Sequence, residues 1–551
     1  MNILFVMYDQ LRFDYLGCAG HPHLKTPHFD RVAKMGVRFS NAYVQSPICG
    51  ASRMCYYTGR YASSHGAQWN GFPLRVGEQT MGDHLRKCGM GCWLIGKTHM
   101  TVDAEGMQRL GLTPDSIIGA RQAECGFDVW QRDDGLWAQG PDGFYDEKRS
   151  PYNEYLKSKG YETDNPWANF ANAGIKDDNK ASGWMFENAD LPANIREEDS
   201  ETPWLTSETI KFIDQAKGPW CAHVSYIKPH WPYIVPAPYH DMYGPEHVLP
   251  AVRDDCERDD PHPVYGAYMG NKIAKAFQDD EVREKVIPAY MGLIKQCDDQ
   301  LGRLLDHLET TGQLDDTMIV LTSDHGDFLG DHWLGEKDLF HDPSVKVPMI
   351  IYDPRAAADG TRGTTCDALV ESIDLAPTFV EVAGGKIPDH ILEGRSLIPY
   401  LHGTPTKHRE FVVSEFDYSA SPQCEKLGLE PRDARLFMIY DGRYKLMHAE
   451  GGFRPMLFDL KNDPNEFYDL AKTDGHQHEI DRLYKLMSVW HRRLAQRVTR
   501  SEDDIRAMRG LSLRRGVLPF MKDGSEVPKD LTQIYRGKAP QNYTPPDGSS
   551  N

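Results

Sequence analysis

The sequence predicts an α/β protein: a large mixed, mainly parallel sheet sandwiched by helices, followed by a smaller C-terminal antiparallel sheet with a helix. Three observations predict it. Continuous apolar runs of strand length, the first at Ile3–Tyr8, suit strands covered on both faces. Between two such runs Leu293, Ile294, Cys297, Leu301, Leu304, Leu305 and Leu308 recur at helical spacing, and strands alternating with helices build parallel sheets. After about residue 405 the pattern changes to short strands joined by turns such as Asp441-Gly442.

The elements follow in order. After the first strand, Thr26 is set to cap a helix, Pro27 fits its first turn and Gly36 ends it. Thr80 and Gly89 bracket another short helix. Cys92–Ile95, Cys221–Tyr226, Met318–Thr322 and Val347–Tyr352 are further buried-strand candidates. The stretch 101–200 is rich in Asp, Gly, Asn and aromatics, including Trp130, Trp137, Trp167 and Trp184. It reads as a long insertion, either a substrate-facing lid or a structural excursion; 250–275 reads as a second. These belong to a catalytic domain spanning 1–404. A subdomain at 405–496 takes strands at Phe411–Ser414, Leu436–Tyr440 and Tyr444–Met447, then a helix carrying Ile480, Leu483, Leu486, Met487, Trp490 and Leu494. The tail, 497–551, is rich in Arg, Pro and Gly and is either flexible or an arm around a partner subunit. The second option makes the protein a homo-oligomer, a dimer or tetramer.

Composition narrows the function classes. Asp and Glu outnumber Lys and Arg 81 to 62, a formal charge of −19. That opposes nucleic-acid binding, which needs a basic footprint. An anionic substrate would need a local positive island in this field. No apolar run approaches the ~20 residues of a membrane helix, and Asp9 arrives too early for a signal peptide. The 11 cysteines are scattered and odd in number, as expected of reduced thiols in cytoplasm.

The chemistry gathers in four places. Asp9-Gln10 follows the first strand, Lys97-Thr98-His99 follows Cys92–Ile95, and Asp324-His325-Gly326-Asp327 follows Met318–Thr322. Parallel sheets deliver such strand-end residues to one carboxyl-end crevice. The fourth is Cys49-Gly50-Ala51-Ser52-Arg53, continued by Thr58-Gly59-Arg60. Alone, that cysteine would be read as a buried structural thiol.

Together these motifs resemble the formylglycine-dependent sulfatases of the alkaline phosphatase superfamily. Thr26-Pro27-His28-Phe29-Asp30, Lys228-Pro229-His230, Pro348-Met349-Ile350, Ile373-Asp374-Leu375-Ala376-Pro377-Thr378, Leu457-Phe458-Asp459-Leu460 and Asp463-Pro464 extend the resemblance over roughly 1–495. Gln10, His325, and Lys337 followed by Asp342-Pro343-Ser344 look most like the phosphonate monoester hydrolase branch. The resemblance implies that a formylglycine-generating enzyme oxidises Cys49 to formylglycine. One hydroxyl of the hydrated aldehyde attacks sulfur or phosphorus and displaces the alcohol; the other then loses its proton and re-forms the aldehyde, expelling sulfate or phosphate. Ala51 stands where the motif usually has Pro, while Cys49 and Arg53 carry its main signal.

The resemblance also implies the site residues. Asp9, Gln10, Asp324, His325 and the Cys49-derived hydroxyl would hold one divalent ion, Ca²⁺ or Mn²⁺, because oxygen ligands with one nitrogen admit either. Arg53 would orient the diol and offset charge. His230 would be the general acid, Lys337 would stabilise the leaving or non-bridging oxygens, and His99 would take the second hydroxyl's proton. Lys97 would bind the transferred group. Asn70 would either bond the substrate or serve a turn. The expected activity is cleavage of small-molecule aryl sulfates through a covalent sulfo-enzyme. The alternatives are a phosphonate monoester or phosphate diester hydrolase using the same site, or a non-catalytic anion-binding protein with unmodified Cys49.

Overall fold

The computed structural model describes residues 1–113, 116–135, 150–177, 179–405, 409–493 and 498–509. Trp137, Leu494 and residues 510–551 lie outside them. The chain divides into two compact units, Met1–Ile387 with Leu392–Leu494, and Pro388–Ile391 with Ala495–Asn551. In the second, Glu502–Met508 is helical, started by the Ser501 side chain accepting from the Asp504 amide.

The first unit begins with β1 (Asn2–Asp9), β2 (Val37–Tyr43), β3 (Gly91–Gly96) and β4 (Asp128–Arg132). A small hairpin, β5 (Ala173–Lys176) and β6 (Asn179–Ser182), precedes β7 (Trp220–Pro229), β8 (Thr317–Ser323), β9 (Met349–Tyr352) and β10 (Thr364–Glu371). Eight strands form one sheet in the order β10-β2-β9-β8-β1-β7-β3-β4. Only β9 runs antiparallel to its neighbours. The fold is thus the mixed, mainly parallel sheet expected from the apolar runs.

Alternation along β1 shows why these runs are continuous. Ile3, Phe5 and Met7 enter the core on one face. Leu4, Val6 and Tyr8 enter the core on the other. Helices cover both faces, so the run Ile3–Tyr8 has no position facing water, and the polar Asn2 and Asp9 stand at the two ends of the strand.

Two expectations need correction. Residues 128–132, read as part of an insertion, are β4 and pair parallel with β3. Its mixed polar and apolar sequence gives no buried-strand run. The helix Pro27–Met35 does start after Thr26 and end at Gly36, but Thr26 is not its side-chain cap. Thr26 Oγ1 instead accepts from the Gly17 amide, while the amides of His28 and Phe29 donate to Asp298 Oδ1 at 2.9 Å. That carboxylate comes from the 31-residue helix Asp280–Thr310, which carries the leucine series.

The C-terminal part of the unit is a four-stranded antiparallel sheet, β11 (Val412–Asp417), β12 (Arg435–Tyr440), β13 (Tyr444–Ala449) and β14 (Met456–Asp459), in sequential order. Val413, Ile439, Leu446 and Leu457 pack with Ile480, Leu483, Met487 and Trp490 of the helix Gln477–Arg492. Among the described residues, no helix is long and apolar enough to cross a membrane.

Candidate active site

Sheet register brings the motifs together. β1 lies between β8 and β7, with Tyr8 opposite Ser323 and Asp9 opposite Pro229. Asp9, His230 and Asp324 therefore leave adjacent strands at the same edge. Gly96 pairs with Ser225 and ends β3 at a φ of 114°. A Cβ there would come within 2.2 Å of the Ser225 carbonyl oxygen. Only glycine permits this approach, which delivers Lys97 to the same edge.

Cys49 is the first residue of the helix Cys49–Thr58. Gly50 lets this helix start sit close to its neighbours: a Cβ would be 2.8 Å from Asn70 Oδ1. Asn70 Oδ1 accepts from the Gly50 amide at 2.7 Å, so the oxygen is used on the helix terminus. Cys49 Sγ lies 3.0 Å from His325 Nε2 and 4.0 Å from Asp9 Oδ1. Burial alone would raise this thiol; Lys337 and His325 instead hold it well below its ordinary range.

Arg53, one turn along, is fully buried. Its Nε donates to Asp324 Oδ2 at 2.8 Å and its Nη2 to Asp9 Oδ2 at 3.1 Å. Nη1 donates to Ser225 Oγ at 2.7 Å and the Lys97 carbonyl at 3.1 Å. Lys97 Nζ joins Asp9 Oδ2 at 2.5 Å. Burial favours the neutral Asp9, but Lys97 leads the charges that keep it ionised.

Asp9, Cys49, Asp324 and His325 offer ligand atoms all within 4.8 Å of one another. The geometry of His325 tests whether an ion fits. Its Nδ1–H donates to the Gly326 carbonyl at 2.8 Å, since a carbonyl can only accept. The neutral ring then turns the Nε2 lone pair towards Cys49, the orientation that outer hydrogen bonds give metal-ligating histidines. Burial resists protonation of this ring, but Asp324 and Cys49 pull its pKa up to about 9, so these anions favour a positive charge at Nε2. Two carboxylates and one imidazole thus suit a divalent ion.

Gln10 turns elsewhere. Its backbone is left-handed, φ 65°, with the amide donating to Asp324 Oδ1 at 3.0 Å. Its side-chain Oε1 accepts from Lys337 Nζ at 3.3 Å, and its Nε2 donates to Asp327 and Tyr233. Lys337 Nζ also lies 3.2 Å from His230 Nε2. His230 Nδ1–H donates to the Trp231 carbonyl at 2.8 Å, so Nε2 is the acceptor for Lys337. Burial pushes His230 down to about 3.

His99 is less engaged. Its backbone is left-handed, φ 53°, and its buried Nδ1 has no hydrogen-bond partner among the described residues. The amides of Thr98 and His99 donate to Asp134 Oδ1 at 2.8 and 3.4 Å, which shapes the turn after Lys97. Asp134, Ser225, Tyr233 and Asp327 are partners that sequence reading missed. Asp327 alone had a signal, as an acid inside the Asp324–Asp327 motif.

The sulfatase family model matches residues 1–385. The chain belongs to the sulfatase family. A second model, N-sulphoglucosamine sulphohydrolase, C-terminal, matches residues 330–492 of this sulfatase. It is 30% identical over 505 residues to the multifunctional alkaline phosphatase superfamily protein PehA of Trinickia caryophylli, covering 85% of this chain and 91% of that one. It is 28% identical over 502 residues to an arylsulfatase of Clostridium perfringens, covering 88% and 93%. Among solved structures, the phosphonate monoester hydrolase SpPMH from Silicibacter pomeroyi superposes with a TM-score of 0.77 at 30% identity, covering 90% of this chain and 96% of that one. The phosphonate monoester hydrolase of Agrobacterium radiobacter gives 0.76 at 28%, covering 89% and 95%. The fold and the hydrolase class expected of this sulfatase from its motifs are both met.

Proposed function

We propose that this sulfatase hydrolyses small-molecule aryl sulfate monoesters, with residue 49 as nucleophile after conversion to formylglycine. One observation carries the reading: Cys49 opens a buried helix N-terminus between an Asp9–Asp324–His325 ligand set and a Lys337–His230 pair. Asp9, Asp324 and His325 would hold one divalent ion, Ca²⁺ or Mn²⁺, with Gln10 beside them. Such an ion supplies Lewis acidity that favours ionisation of the nucleophile and offsets charge on the ester. Arg53 fixes the two carboxylates in place through separate nitrogens. Lys97 neutralises Asp9, which leaves the anionic ester less to repel it. His99, whose backbone carbonyl adjoins Gly50, would take the second hydroxyl's proton.

Lys337 and His230 act as one unit in this reading. His230 carries its proton on Nδ1, bonded to Trp231, so the proton lying between the two side chains is the ammonium's. The general-acid role expected of His230 is therefore one it shares with Lys337: His230 Nε2 holds the ammonium, and the ammonium gives its own proton to the leaving oxygen.

Phosphonate monoester or phosphate diester hydrolysis is the second reading. Gln10 and His325 favour it, as does the similarity to two solved phosphonate monoester hydrolases. The same reading includes a formylglycine-generating enzyme as maturation partner, a cytoplasmic location consistent with free thiols, and a homo-oligomer. Side-by-side kinetics with an aryl sulfate and an aryl phenylphosphonate decide the substrate; a clear excess of phosphonate turnover would sink the first reading. Mass spectrometry of the Cys49 peptide should show a loss of about 18 Da, unlike the oxygen gains of thiol oxidation. The aldehyde should also be trapped by a carbonyl reagent. An unmodified Cys49 in active protein would rule out the proposed nucleophile.

A further inference from the structure

We infer that Asp327 is a positioning residue: it fixes the orientation of the Gln10 amide and, through it, the place of the Lys337 ammonium. The inference rests on the role given to Lys337 above.

A glutamine amide has two nearly isosteric ends, one accepting and one donating, and only its partners decide which way it faces. Gln10 sits between groups that leave no choice. On one side is the Asp327 carboxylate, which can only accept. Tyr233 donates its hydroxyl proton to Asp327 Oδ2 at 2.6 Å. The Tyr233 oxygen is then free to accept from Gln10 Nε2, 3.0 Å away. On the other side is Lys337 Nζ, which can only donate, to Oε1 at 3.3 Å. One orientation satisfies every group; the flipped amide sets oxygen against carboxylate and NH₂ against ammonium.

The surroundings confine the freedom to that flip. Gln10 and Asp327 are fully buried and Tyr233 nearly so. The Gln10 amide is bonded to Asp324, and its carbonyl accepts from Tyr290 at 2.7 Å. Asp327 Oδ1 accepts from the Leu329 amide at 2.9 Å, and Arg12 holds the Asp327 carbonyl at 3.1 Å. With both backbones fixed, loss of the acceptor at Asp327 acts first on the amide. A flipped amide repels Lys337 and with it loosens the bond to His230 Nε2.

Asp327→Asn tests this, because asparagine can donate or accept and no longer selects one orientation. The expected result is roughly a tenfold or larger fall in kcat for phenyl sulfate, whose phenoxide leaving group needs a proton, with KM little changed. For 4-nitrophenyl sulfate, a better leaving group, the fall should be smaller. The exchange Gln10→Glu with Asp327→Asn keeps the total charge and again permits one arrangement: Asn donates to Glu, and the other Glu oxygen faces Lys337. It should recover more activity than either single variant, a non-additivity that independent sites do not give. Thermal midpoint and bound metal per chain are measured beside the kinetics, so that unfolding or ion loss is seen as such. Should Asp327→Asn fail to fold, Asp327→Glu, which displaces the acceptor, makes the same leaving-group comparison. An equal loss on both esters, or an exchange variant no better than the singles, overturns the role of Asp327 alone. Absence of turnover by the unsubstituted protein with sulfate and phosphonate esters overturns this inference together with the function it rests on.

Discussion

Arg53 shows how much one side chain settles at this site. Four hydrogen bonds leave its guanidinium for two carboxylates, a serine and a carbonyl. The two carboxylates come from strand ends 315 positions apart in the chain (Asp9 and Asp324). A lysine would keep the charge but present its donors from one point, so it cannot bridge both carboxylates. Arg53→Lys should therefore lower kcat/KM by roughly a hundredfold or more. Leaving a buried carboxylate poorly paired should also destabilise the fold by about 3 kcal/mol. Paired kinetics and thermal unfolding check this; a variant of normal stability and activity would remove Arg53 from the account. Arg53 was legible only through the resemblance of Cys49–Arg60 to the sulfatase motif, since a Cys four residues before an Arg signifies little alone. Its partner Ser225 was not, because nothing in the strand Trp220–Pro229 distinguishes one buried serine from a packing residue.

At the scale of elements, β11 is tied to the helix Ala62–His65 by Glu415. Its carboxyl accepts from the Ser63 amide at 3.2 Å and hydroxyl at 3.1 Å. Burial raises its pKa from 4.5 to about 7, against a lowering by Arg493 and Ser63. The folded state thus binds this proton more tightly than the unfolded chain. Its contribution to stability is fully present below about pH 4.5 and is lost as pH rises to about 7. Glu415→Gln keeps an acceptor but does not ionise. Relative to that variant, the unsubstituted protein should lose up to about 3 kcal/mol between those limits. Unfolding midpoints of both proteins across pH 4–8 provide the check, and parallel curves would contradict it. The start of the helix Pro27–Met35 makes a related point. Thr26-Pro27 announces the helix correctly, but the capping carboxylate is Asp298, which local sequence rules cannot reach.

For the whole molecule, the charge of −19 coexists with a crevice that gathers Arg53, Lys97 and Lys337. The acidic excess belongs to the rest of the chain and says little about the substrate. The tail beyond residue 497, rich in Arg, Pro and Gly, is the segment we propose as an oligomerisation arm. Removing residues 498–551 should reduce the number of subunits seen by size-exclusion chromatography with light scattering; an unchanged number counts against the arm.

The sequence by itself determined the alternation of strands and helices and the strand ends that carry Asp9, Lys97 and Asp324. Those follow from hydrophobic period and from short motifs, both of which are local. It did not reveal β4, whose polar edge position suppresses the apolar run, nor the partners that orient the site. Which acceptor meets Gln10, which carboxylate shapes the turn at His99 and which nitrogen of His230 faces Lys337 were decided only by tertiary structure. Strand order and register bring residues such as Gln10 and Asp327, 317 positions apart, within hydrogen-bond reach. A hydrogen bond of that kind depends on a distance and an angle between separate loops, and neither leaves a period in the chain.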